Sequence, residues 1–189
     1  MIFIISLITG VVYASLFEWV LHRYVMHRPL GWLRFPYEKH AQTHHRIFRA
    51  DDSYHLRRAE DRLTIPMAWW SGMVLVATAS SPFWLAGWLL GSLVAPLGVT
   101  VALTCCYTEY EYLHWCMHLP KGRWFERTWL FRKINGHHLL HHAFHGCNYN
   151  VTWPPIGDFV FRTLRSRSRA PFDQATGPSV PDVQPRKTS

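Results

Sequence analysis

Residues 63–108 read LTIPMAWWSGMVLVATASSPFWLAGWLLGSLVAPLGVTVALTCCYT, a run of 46 positions without one charged residue or histidine. A helical bilayer crossing takes about 20 apolar residues, so this run suits two crossings and a turn. Ser80-Ser81-Pro82 marks the expected turn, because proline interrupts helical hydrogen bonding and serine supports turns. The crossings are therefore predicted over about 64–80 and 83–108. A soluble hairpin of this apolarity would have to be covered on every side, which a chain of 189 residues cannot do. Trp69, Trp70, Trp84 and Trp88 lie near the ends of these segments, as in an interfacial aromatic belt.

Working outward, residues 1–21 are also apolar, carry no Lys or Arg, and form a third predicted crossing at about 2–21. A secretory leader would show a basic start and a small-residue cleavage site, and neither is present. Nine basic residues fall between Arg23 and Arg62, and eleven between Lys121 and Lys187. Three crossings put both blocks on one side of the membrane. The excess of Lys and Arg makes that side cytoplasmic and the N-terminus external. The net charge of +8 is accounted for by this geometry and by contact with anionic headgroups, and no basic recognition motif points to nucleic acid. The expected architecture is all-α: a membrane domain over 1–164, with a cytosolic helical cap built from 22–62 and 109–164. Residues 165–189, with Arg-Ser alternation and four prolines, read as a disordered tail.

The 13 histidines outnumber the 12 carboxylates, and most fall in four groups at the edges of the cap. These are His22 with His27; His40 with His44 and His45; His114 with His118; and His137, His138, His141 and His142. His114 and His118 are i, i+4 on a helix and can hold one ion. Glu111 shares their face and is expected to accept a ring N–H and fix the tautomer. His138 shares a face with His141 and His142, which allows ligation of two neighbouring ions. A structural zinc takes four ligands and a catalytic one three, so ten histidines point to two metal centres. The 4 Cys show no ligand spacing and read as small apolar residues. The apolar run holds no ionisable ligand, which disfavours a transporter.

These boxes, His22-Arg-x-x-Met-His27, His40-x-x-x-His44-His45, His114-x-x-x-His118 and His138-x-x-His141-His142, resemble those of the fatty acid hydroxylase superfamily. Asn148-Tyr149-Asn150 and Asp158-Phe-Val-Phe161-Arg-Thr163 are similar to its N-Y-G and D-x-x-F-G-T ending. The likeness runs from about Leu16 to Thr163. It implies an integral-membrane oxygenase with two histidine-ligated irons and O₂ as co-substrate, oxidising a C–H bond of a membrane lipid. It also implies electrons from a separate donor, a b-type cytochrome or ferredoxin-like protein with its reductase. Desaturation of a lipid, sterol or carotenoid is the alternative on the same scaffold, and a non-enzymatic metal-binding membrane protein the alternative outside it. Asn150 and Arg162 stand where the family usually has glycine, and the second box has three intervening residues where two are common; these departures bear on substrate rather than on metal.

The implied metal ligands are His22, His27, His40, His44, His45, His114, His118, His138, His141 and His142. Of the adjacent pair, spacing favours His138 as the ligand without deciding between the two, and His137 is expected either to face solvent or to stand behind a ligand or against substrate. His145 reads as a ligand, a donor behind one, or a substrate contact. Asn148 is expected to hydrogen-bond a metal-bound water. Asp158 is expected either to orient a ligand histidine or to cap a helix. His55 reads as a surface or capping residue, and Glu18 as an interface residue or a partner to a ligand.

Overall fold

The computed structural model describes residues 1–166 and is helical, without strands among them. In chain order, α1 (Ile2–Val20) runs into a π-helical turn over Leu21–Met26. Then come α2 (Arg34–Tyr37), a second π-helical segment over Glu38–His44, α3 (His45–Ile47) and a 3₁₀ turn over Ala59–Thr64. The long helices α4 (Ser71–Leu89) and α5 (Val94–His118) form a hairpin. A 3₁₀ turn (Trp124–Arg127), α6 (Trp129–Ala143) and α7 (Ile156–Val160) complete the described chain. The predicted tail lies outside the described residues from position 167 on, and Arg165 at its start is held to Asn148.

The stretches Ile2–Met26 and Ser71–Leu89 are long and apolar enough to cross a membrane. α1 lies parallel to α5, with Ser6 opposite Gly98 and Gly10 opposite Ala102. A Cβ on Gly98 would stand 2.0 Å from Ser6 Oγ, so the small-residue spacing of Ser6, Gly10 and Ala14 is what lets the backbones approach. Ala14, Ala79, Val99 and Leu103 close the space among the three helices. Their outer faces expose Ile4, Ile5, Ile8, Met73, Leu85 and Trp88.

The turn between α4 and α5 is not at Ser80-Ser81-Pro82. α4 runs through Pro82, and the chain reverses at Leu90–Leu93 around Gly91, whose φ is +67°. Two local causes account for this. The carbonyl freed by Pro82, that of Thr78, accepts the Ser81 hydroxyl at 2.8 Å, so no polar group is stranded in apolar surroundings. Gly91 takes the left-handed position that ends a helix, with Ser92 N donating back to Gly87 O at 2.9 Å. The predicted segments 64–80 and 83–108 are thereby corrected to α4 and α5. α5 stops at His118 because Leu119 precedes a proline and turns extended, at ψ 156°.

The C-terminal ends of α1 and α5 and the N-terminal end of α4 meet at one end of the bundle, where α6, α7 and the shorter segments pack. Beneath them Tyr54, Tyr110, Met117, Phe131, Ile134 and Val151 form a second core.

Candidate metal centre

Ten histidines converge in this cap as two groups of five. The first is His22, His27, His40, His45 and His141; the second is His44, His114, His118, His138 and His142. Within each group the prospective ligand atoms lie within 4.8 Å of one another. All ten are the residues expected as ligands, and nine of them are buried, His27 being half-buried. The groups adjoin, with the rings of His45 and His142 4.3 Å apart between centroids.

Local backbone geometry sorts the histidines. His22 and His27 are i, i+5, as are His40 and His45. On an α-helix such pairs diverge, but each pair spans a π-helical segment that ends just before its second histidine, and i→i+5 bonding there brings the two to one side. His44 is turned to the second group instead, with its Nε2 3.1 Å from that of His114. On α6, an ordinary α-helix, His138 and His142 share a face while His141 points to the first group. The nitrogen spacings repeat. His22 and His40 stand 2.8 Å apart, His40 and His45 2.9 Å, and His27 and His141 3.0 Å. In the second group His118 and His138 are 3.1 Å apart, and His138 and His142 3.0 Å.

Backbone carbonyls hold four of the rings from behind. His118 Nδ1 donates to Tyr54 O at 2.8 Å, His141 Nδ1 to Cys147 O at 2.8 Å, and His142 Nδ1 to Phe48 O at 2.6 Å. His22 Nδ1 donates to Tyr149 O. A carbonyl only accepts, so each Nδ1 carries the ring's proton and each Nε2 presents a lone pair to its group. In the second group the lone pairs of His118 and His142 both face His138, which has at most one N–H to offer. A cation satisfies what hydrogen bonding there cannot, and imidazoles held this way fit it. Burial, reinforced by the neighbouring rings, holds His40, His44, His45, His138 and His142 well below the usual imidazole range. Burial likewise pushes His27 down to about 2 and His141 to about 4. The imidazoles are neutral at pH 7, the form that ligates metal.

The remaining expected residues divide. His137 is outside both groups, and it is paired with Asp158 at 3.2 Å instead of facing solvent. His145 is exposed, its ring 4.6 Å from that of His45, beside the first group without joining it. His55 is half-buried and belongs to neither group. Glu111 does not reach a ligand: its carboxylate accepts from Tyr107 Oη at 2.9 Å and Met67 N at 3.3 Å, because it projects to the α4 side of α5. Asn148 is no partner for a metal-bound water. Its amide is committed to His137 O, Arg165 O and Arg165 N, and it sits at φ 55° in a turn.

Asp158 neither caps a helix nor touches a ligand. It accepts from Tyr149 N at 2.9 Å, Asn150 N at 2.8 Å, Thr163 Oγ1 at 2.6 Å and His137, so it shapes the loop whose Tyr149 carbonyl holds His22. Burial would raise its pKa, but the hydrogen bonds from His137, Thr163 and the two amides outweigh burial and hold it below its usual value. Glu18 secures the same loop from the other side, accepting from Val151 N at 2.7 Å and Thr152 N at 3.3 Å. Arg162 has φ 56°, a backbone setting that favours the glycine usual at this place in the family the motif resembles. The four cysteines are free and outside both groups; Cys116 and Cys147 are buried, while Cys105 is exposed. Phe48, Tyr54, Cys147 and Tyr149 carry no signal along the chain, since every residue has a carbonyl and only folding selects these four.

A narrow cleft of about 70 Å³, part of it open to the outside, runs between α1, α4 and α5. Ala14, Phe17, Val76 and Leu103 line its walls, and His22 and Tyr110 also border it. No family model, curated protein or solved structure matches this chain.

Proposed function

We propose that the protein is a membrane-bound di-iron oxygenase that hydroxylates a C–H bond of a lipid, as the resemblance of its boxes to the fatty acid hydroxylase superfamily implies. The observation that carries this reading is two adjoining groups of five neutral histidines beside an apolar cleft. His22, His27, His40, His45 and His141 would hold one iron, and His44, His114, His118, His138 and His142 the other. Five imidazoles per group exceed the four ligands of a closed structural zinc site.

When bound, the irons would supply O₂ activation and oxidation of an unactivated C–H bond, with electrons from a separate donor protein. The chain's own residues hold the ligands and exclude water. The Nδ1–carbonyl bonds keep each Nε2 deprotonated and aimed inward, and the core of Tyr54, Met117, Phe131 and Val151 keeps solvent from the second group. The cleft admits an alkyl chain laterally between the helices. In this reading α1, α4 and α5 cross the bilayer, with the N-terminus outside and the histidine end in the cytoplasm beside the basic residues. A metal carrier would have no use for an apolar cleft bordered by a ligand, so the enzyme is favoured over a metal-binding protein.

The test is anaerobic loading with ferrous iron, followed by metal analysis and lipid profiling of cells with and without the gene. Two irons per chain and a lipid gaining one oxygen are expected. His118→Ala should abolish that product while the protein still inserts, and His55→Ala should leave it. One zinc per chain, or a product that survives His118→Ala, would refute the assignment.

A further inference from the structure

Most polar groups along the cleft are engaged. Glu18 accepts from Val151, Thr152 and Asn150, Thr152 Oγ1 donates to Glu18, and Tyr107 donates to Glu111. His22 belongs to the first histidine group. Tyr110 differs. It is only 8% exposed, its ring stacks on His114 with centroids 5.5 Å apart, and its hydroxyl has no hydrogen-bond partner. Phenylalanine would fill the same space without stranding a polar atom, and a buried hydroxyl left unpaired opposes folding. Tyr110 borders the cleft, and its hydroxyl is a polar group there without a partner.

We propose that the Tyr110 hydroxyl is the recognition group of this cleft, donating a hydrogen bond to an oxygen atom carried by the lipid. The substrate class is then a narrow apolar chain bearing a carbonyl or hydroxyl oxygen, rather than a plain hydrocarbon. Because Tyr110 stacks on His114 and shares the cleft with His22, that oxygen is held beside the histidine groups and sets which carbons lie nearest them. This deepens the oxygenase reading and rests on the cleft being its lipid site, but it is measured by binding rather than by turnover.

The experiment uses the full iron-loaded chain in phosphatidylcholine nanodiscs and two probes of equal length, 2-hexadecanone and hexadecane. Probe retained per protein, above that of empty discs, is read by mass spectrometry. The wild type should hold the ketone about tenfold more tightly than the hydrocarbon, and Tyr110→Phe should abolish the preference. Tyr110→Phe should also keep its full iron content and melt no lower than the wild type, because it removes an unpaired group. Absence of preference in the wild type, or of binding by either probe, overturns the proposal. So does a preference that persists in Tyr110→Phe. Two irons with no ketone preference would refute this inference alone; a ketone preference without iron would refute the oxygenase reading alone.

Discussion

At the scale of single residues, the cap shows how much of a candidate metal site lies outside the histidines that could ligate. Asp158 touches no member of either group, yet it gathers two backbone amides, a hydroxyl and an imidazole around the loop that ends at the Tyr149 carbonyl. Asp158→Ala leaves four donors unmet, two of them buried amides, and a loss of about 3 kcal/mol is expected. The first group should suffer before the second, since His22 depends on that carbonyl and the second group does not. If the protein is the di-iron enzyme proposed above, iron per chain should fall from two toward one, with a lowered melting temperature. Acid should act on the histidines directly. His141 is held near 4 in the folded chain and returns to about 6.5 when unfolded, so the unfolded state binds the extra proton between these values. The metal-free protein is therefore at full stability above about pH 6.5 and loses it as the pH falls. The slope is about 1.4 kcal/mol per pH unit for each such histidine. Melting of chelated protein between pH 7.5 and 5 checks the sign, and a rising melting temperature on acidification would contradict it.

At the scale of elements, the interrupted helix that a proline suggests is absent, because the Ser81 hydroxyl replaces the missing N–H at the Thr78 carbonyl. The real turn depends on a glycine at positive φ. Two substitutions separate these positions. Pro82→Ala restores a helical donor within α4 and should leave the melting temperature unchanged or raise it. Gly91→Ala forces a side chain into the left-handed region and should lower stability by about 1 kcal/mol. The opposite ranking would put the turn back at Pro82. The π-helical segments are the other decisive elements. They set the i, i+5 pairs His22–His27 and His40–His45 into one group, and neither composition nor apolar periodicity marks them as anything but α-helix.

At the scale of the whole molecule, three long helices carry the cap on one end, and the basic residues before Arg165 flank that end. A cysteine placed at Ser92, in the α4–α5 turn, should react with an impermeant maleimide added outside intact cells. One placed at Arg127, beside α6, should react only after lysis. The reverse pattern would invert the orientation drawn from the basic residues.

Much of this was legible along the chain: the helical class, the long apolar helices and the ten clustered histidines. Those features are local, since apolar runs and imidazole spacing are written in consecutive residues. The division of the ten into two fives was not legible. His40 and His44 look like partners at i, i+4, but the π-helical pitch sends them to different groups. Glu111 shares a helix face with His114 in the sequence, yet Tyr107 and Met67 claim its carboxylate. The carbonyls of Phe48, Tyr54, Cys147 and Tyr149 became functional only because the fold brought them behind a ring. Residue type and spacing determine which groups can ligate or span; the pitch of each helix and the packing between helices decide which lone pairs meet.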